Sequence, residues 1–165
     1  MGFSMIKKYI LKNSIGDVAG LIKEICAEIS GCIDEANINL FAAALYEVAI
    51  NAIEHGNLGI SYEMKKEWIE KSVYQEKLSE LLKSEKAKNT FVKISLEIKE
   101  GNCLILTVQD EGSGFKPQKE MEKIIKEDFM RNCGRGMMMM KSYFDDIKYN
   151  ETGNSITLIK KIKKY

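Results

Sequence analysis

Apolar positions recur along this chain with changing spacing, and the changes mark its elements. Residues 3–11 carry the recurring apolar positions of a strand. Capping side chains follow at residues 14–17. Val18, Leu21, Ile22, Ile25 and Ile29 then recur at helical spacing, and Gly31 ends that helix. Asp34 can cap a second helix that runs to about His55. Gly56 and Asn57 close it, both being residue types that tolerate the left-handed conformation. Residues 61–88 are rich in Glu and Lys and lack Gly and Pro. Met64, Trp68, Tyr74, Leu78, Leu81 and Leu82 sit there at approximate helical intervals, which predicts one or two amphipathic helices. Residues 90–98 and 104–108 read as strands, joined by the hairpin chemistry of Glu100-Gly101-Asn102. Residues 112–135 form a loop region with the only proline, Pro117, and a short helix around 121–129. Residues 137–144 read as helix. Residues 147–149 and 155–162 read as a second hairpin, turning through 151–154.

Strand, helix, helix, helical insert, hairpin, loop, helix, hairpin is the order of an α+β protein. Helices gathered on one face of a mixed, mostly antiparallel sheet would bury both layers, a two-layer sandwich. With 165 residues the chain suits a single domain, 1–165, with its own core. The charged share is 30% and the net charge +1, so no basic surface marks nucleic acid as a partner. No apolar run approaches the roughly 20 residues of a membrane span, and the first ten residues lack the features of a signal peptide. Cys26, Cys32, Cys103 and Cys133 form no CxxC pair and His55 is the only histidine, which argues against zinc. Four reduced thiols in a cytoplasmic protein is the plain reading.

The second helix carries the strongest chemical signal. Leu40 to Leu45, Val48 to Ile50, Ala52 and Ile53 make it apolar nearly all round, so it should be mostly buried. Against that background Glu47, Asn51 and His55 stack on one face at i, i+4 and i+8. Buried polar groups demand partners. Other protein groups can satisfy the stripe, or a ligand can. In the second case Asn51 offers a neutral oxygen to a hard cation such as Mg²⁺. Glu47 can accept a proton from a hydroxyl or water that attacks a phosphate. His55 can donate to a ligand or cap the helix.

Two glycine turns supply a second signal. Asp110, at a strand end, precedes Gly112 and Gly114. The glycines permit close backbone approach or positive φ, and Asp110 can accept from an exocyclic amine such as that of adenine. A plain turn is the alternative. Gly134-Arg135-Gly136 precedes a predicted helix, where exposed N–H groups and Arg135 favour an anion. The run Met137 to Met140 reads best as flexible core filler.

Together these pieces resemble the Bergerat-fold ATPases, the superfamily of gyrase, histidine kinases and the large heat-shock chaperones. Glu47-x-x-x-Asn51-Ala52-x-x-His55-Gly56-Asn57 is similar to their N box. Asp110-x-Gly112-x-Gly114-Phe115 resembles the first glycine box, and Gly134-Arg135-Gly136-Met137 the second. The form of the N box is most similar to that of the anti-sigma-factor serine kinases. The resemblance implies an ATP-binding domain with Glu47 as general base, Asn51 as Mg²⁺ ligand and Asp110 as adenine reader. His55, Gly112, Gly114, Gly134, Arg135 and Gly136 would line the phosphates or lid, and Thr157 would support the adenine site. The connection at about 59–88 is longer than is usual between N box and first glycine box, and so reads as an insert that covers the core or docks a partner.

The function implied is transfer of the γ-phosphate of ATP to a small antagonist protein, with a sigma factor sequestered in the free state. Relatives often pair through the first strand and helix, which implies a possible homodimer. A nucleotide-gated binding module without meaningful catalysis is the alternative, and a detached histidine-kinase catalytic domain is a third.

Overall fold

The computed structural model describes residues 5–99, 103–114 and 140–162. The chain runs β1 (Met5–Lys12), α1 (Ile15–Ile29), α2 (Glu35–Asn51), a π-helical turn (Ala52–Asn57) and three short helices, α3 (Tyr62–Glu70), α4 (Tyr74–Leu82) and α5 (Glu85–Asn89). Strands β2 (Phe91–Lys99), β3 (Cys103–Gln109), β4 (Asp146–Tyr149) and β5 (Ser155–Lys161) complete it. The five strands form one sheet in the order β1-β2-β3-β5-β4. Every pairing among them is antiparallel, so no parallel pair of the expected mixed sheet occurs among the described strands.

Strand alternation decides which face is covered. Leu11 pairs with Val92, Leu96 with Leu106, and Leu106 with Leu158, and all of these side chains are buried on the helix side. Val18, Ile22, Ile25 and Ile29 of α1 share that core with Phe41, Ala44, Leu45, Val48 and Ala49 of α2. Each large aliphatic so buried stabilises by about 1.5–3 kcal/mol, which makes this seam the main support of the fold. The opposite parity of β1 leaves Ile6 and Ile10 exposed.

Asp34 caps α2 as expected, accepting from the Asn37 N–H at 2.9 Å. Ser14 holds the N-cap position of α1 but makes no side-chain capping bond. Helix α2 with its π-helical extension spans Glu35–Asn57, 23 residues that are long and apolar enough by composition to cross a bilayer. Polar residues punctuate it, so it contains no continuous apolar run of that length. Its Phe41, Ala44 and Leu45 are fully enclosed, and it packs as the core helix.

The helix ends differently from the sequence reading. No left-handed residue occurs at Gly56 or Asn57. The chain widens into the π-helical turn, and the positive φ falls on Gly59, at 70°. The Ile60 N–H then returns to the Glu54 carbonyl at 2.9 Å.

The insert folds into three helices rather than one or two. Ser72, at φ 57°, ends α3 in a Schellman arrangement: its N–H reaches the Ile69 carbonyl and the Val73 N–H the Trp68 carbonyl, at 3.0 and 2.9 Å. Ser84 starts α5 by accepting from the Ala87 N–H. Leu78 and Ala87 are buried, and Trp68, Tyr74, Leu81 and Leu82 pack against the core. The insert's apolar stripe thus covers core, while Met64 and Ile69 stay exposed. The predicted turn at 100–102 and the loop and short helix of 115–136 lie outside the described residues. Of the predicted helix at 137–144, residues 140–144 are described; 140–143 are helical and Phe144 follows the helix.

Candidate functional site

The π-helical turn sets the site. Such turns are rare and occur frequently at functional positions. This one turns Glu54 and Asn57 inward, where they are 2% and 0% exposed. Asn57 ties three segments together. Its amide nitrogen donates to Asn13 Oδ1 at 2.8 Å, and its oxygen accepts the Glu111 N–H at 2.7 Å. Asn13, between β1 and α1, donates onward to the carbonyls of Ala87 and Thr90, both at 2.8 Å. A buried amide network of this kind is stabilising only when its members are satisfied, and these are. His55 is half-buried, and its Nδ1 lies 2.5 Å from the Ile60 carbonyl. Since a carbonyl only accepts, Nδ1 carries the proton. The imidazole therefore pins the residues that leave the π turn.

The loop after β3 is clasped between this turn and the β4–β5 turn. The Asp110 N–H donates to the Asn154 carbonyl at 3.0 Å, and Asp110 Oδ1 accepts the Gly112 N–H at 2.8 Å. Burial pushes the Asp110 carboxyl above the usual carboxylate range, with the Gly112 N–H pulling it back. Three glycines make the clasp possible. A Cβ on Gly56 would lie 2.3 Å from Asp110 Cγ, and one on Gly112 would lie 2.3 Å from the Gly56 carbonyl oxygen. Gly114, at φ 76°, abuts the Thr152 carbonyl. Neighbouring Glu111 is held below its ordinary range by Lys93 and the Phe91 N–H.

Between these segments lies a cavity of about 310 Å³, a size suited to a small ligand. Asn51 and His55 line it from the helix, Asp110 and Gly114 from the loop after β3, and Val108, Met140 and Ile156 supply apolar wall. The amide of Asn51, half-buried, has no hydrogen-bond partner among the described residues. Two of the three side chains of the polar stripe, Asn51 and His55, thus border an opening.

Four of the candidate residues, Asn51, His55, Asp110 and Gly114, therefore share one cavity. Gly112 does not reach its wall; it supports Asp110 and packs on Gly56. Glu47, one turn before Asn51, is half-buried and lies off the described wall. Thr157 is not brought to the described cavity wall. Strand parity turns it to the sheet face away from the helices, where its hydroxyl lies 3.1 Å from that of its partner Thr107. Ser155 and Ile156, at the start of the same strand, line the cavity instead. Gly134, Arg135 and Gly136 lie outside the described residues.

The sequence reading missed Glu54 and Asn13, and it took Asn57 as a helix-closing residue of the N box, not as a buried amide that ties segments together. Glu54 sits off the i, i+4 stripe, and only its position in an apolar segment signals burial. It also missed that Gly59 to Glu63, the start of the insert, form cavity wall.

An antiparallel open sheet backed by helices, with its cavity between the N-box helix and the loop after β3, defines an ATP-binding domain of the ATPase and kinase-like type. Its family follows directly. The histidine kinase-like ATPase domain matches residues 12–160, and the chain belongs to that family. A comparison with curated proteins finds no significant match.

Proposed function

We propose that this protein is a cytoplasmic, single-domain regulatory kinase of the anti-sigma-factor type, which transfers the γ-phosphoryl group of Mg·ATP to a serine or threonine of a small antagonist protein. When free of that antagonist it sequesters a sigma factor. One observation carries the reading. The unpartnered amide of Asn51 lines the same cavity as Asp110, one helical turn beyond a carboxylate, Glu47, that also has no partner among the described residues.

Each residue then has a task. Asp110 accepts a hydrogen bond from the exocyclic amine of adenine. Val108, Met140 and Ile156 supply the apolar surface that a base needs. The free oxygen of Asn51 fits a hard cation. When bound, Mg²⁺ neutralises triphosphate charge and orients the γ-phosphate. Glu47 accepts the proton of the acceptor hydroxyl as that oxygen bonds to the γ-phosphorus and the bond to the bridging oxygen breaks, releasing ADP. Gly134, Arg135 and Gly136 are assigned to the phosphates on sequence alone.

Glu47→Gln tests the assignment. General-base removal costs about 10²–10⁴-fold in rate. Transfer of radiolabel from ATP to a serine-bearing antagonist should fall by that order, with ATP affinity within about threefold of wild type. Undiminished transfer rejects Glu47 as base. A nucleotide-gated binding module is the second reading, favoured by the place of Glu47 off the described wall. ATP binding by the wild-type protein without any transfer to the partner selects it.

A further inference from the structure

The insert's first helix has an unusual position for its composition. Helix α3 has no fully buried residue, and it packs on the core chiefly through the partly buried Trp68. It is also held firmly at two points, both on the π-helical turn. The first is a buried polar cluster. Glu54 accepts from Lys65 Nζ at 2.5 Å and from the Tyr74 hydroxyl, and Lys65 Nζ lies 5.6 Å from the centroid of the Tyr74 ring. An enclosed carboxylate costs stability unless its lone pairs are met, and here α3 and α4 each contribute one donor. The second is aromatic. The rings of His55 and Tyr62 lie 4.2 Å apart, centroid to centroid, at 36°. Both rings border the cavity, and Gly56, the next residue after His55, packs directly on Asp110.

We propose that Tyr62 is a nucleotide-binding residue: with His55 behind it, its ring forms the aromatic wall against which the base of the nucleotide packs. Glu54, Lys65 and Tyr74 are positioning residues that hold α3 so that this wall stays in place. The inference rests on the ATP-binding reading above and assigns the insert to the site itself. A planar base gains from an aromatic face, and such stacking contributes a consistent part of nucleotide affinity. Phosphates gain nothing from it, so the wall acts on the base alone.

The experiment follows from that asymmetry. The full chain and its Tyr62→Ala, Tyr62→Leu and Tyr62→Phe variants are titrated calorimetrically with Mg·ATP, Mg·ADP and magnesium tripolyphosphate. Tyr62→Ala and Tyr62→Leu should weaken ATP and ADP equally, on the order of 10-fold, and leave tripolyphosphate binding unchanged. Tyr62→Phe should restore wild-type affinity. Tyr62→Leu keeps apolar bulk, so the set stays decisive where the alanine variant does not fold. The single tryptophan, Trp68, lies on α3, and its emission should shift when wild-type protein takes up ATP. ATP affinity unchanged in Tyr62→Leu, or tripolyphosphate weakened as much as ATP, overturns the assignment of Tyr62 alone. Wild-type protein that binds neither ATP nor ADP overturns the functional reading, and this assignment with it.

Discussion

Asp110 shows how a single residue can be kept against the interest of stability. Its carboxyl is raised by burial. For an acid raised in the folded state, the stabilising contribution is complete below the unfolded-state value and is lost as pH rises through the folded-state value. At neutral pH the carboxylate is therefore a cost, and the adenine-reading role proposed above gives a reason to keep it. Asp110→Asn removes the cost and retains an oxygen for the Gly112 N–H, which now bonds Oδ1 at 2.8 Å. Scanning calorimetry at pH 7 should find the variant at least as stable as wild type, with a flatter pH dependence in the acid range. ATP affinity should fall at least about 10-fold, the loss expected when a hydrogen bond to a charged group is removed. A less stable variant with intact binding would contradict this account of Asp110. Gly56 and Gly112 belong to the same scale. Neither has positive φ, and each is small because the other segment of the clasp lies against it. Such a constraint is tertiary, so composition alone reveals the glycine and not its reason.

At the scale of elements, the insert illustrates both what packing fixes and what turn chemistry fixes. Its stop after α3 uses a serine at φ 57° where glycine is usual. A left-handed non-glycine residue costs on the order of 1 kcal/mol, part of which glycine returns as chain entropy. Ser72→Gly should therefore stabilise the protein by about 0.5–1 kcal/mol, read as a higher urea midpoint at unchanged slope. A lower midpoint would mean that Ser72 is held by more than its backbone. The strands and the first two helices were legible because their apolar residues keep one period throughout, as in Val18, Ile22, Ile25 and Ile29. The break at Ser72 was not, since serine carries no strong stop signal. The π-helical turn was equally hidden. A 3.6-residue reading continues straight through Ala52–Asn57, and it predicted a closing residue at Gly56 or Asn57 where the chain places it at Gly59. For the site, Asn51, His55, Asp110 and Gly114 were legible because their spacing and element types agree. Thr157 was selected as a threonine of the last hairpin by family resemblance, and strand parity, which that match does not read, turns it off the described cavity wall.

In the whole molecule, one hydrophobic core serves both the fold and the cavity. Val48, Ala52, Val108, Met140 and Ile156 belong to the core cluster and also form cavity wall. The buried network through Asn13 and Asn57 links the start of the chain, the end of the insert and the loop after β3, so the polar residues at the cavity rest on elements from most of the sequence. Among the described residues, the cavity wall is thus held by core packing and a satisfied polar network. Membership of the histidine kinase-like ATPase family, over residues 12–160, supports ATP binding by the domain, and the proposal above puts the nucleotide in this cavity. Titration of Mg·ATP into wild-type protein and its Asn51→Ala variant tests that placement most directly. Saturable binding by the wild type, with no measurable binding by a variant that remains folded, is the predicted result. Equal affinity in the two proteins, or no binding by the wild type, would contradict it.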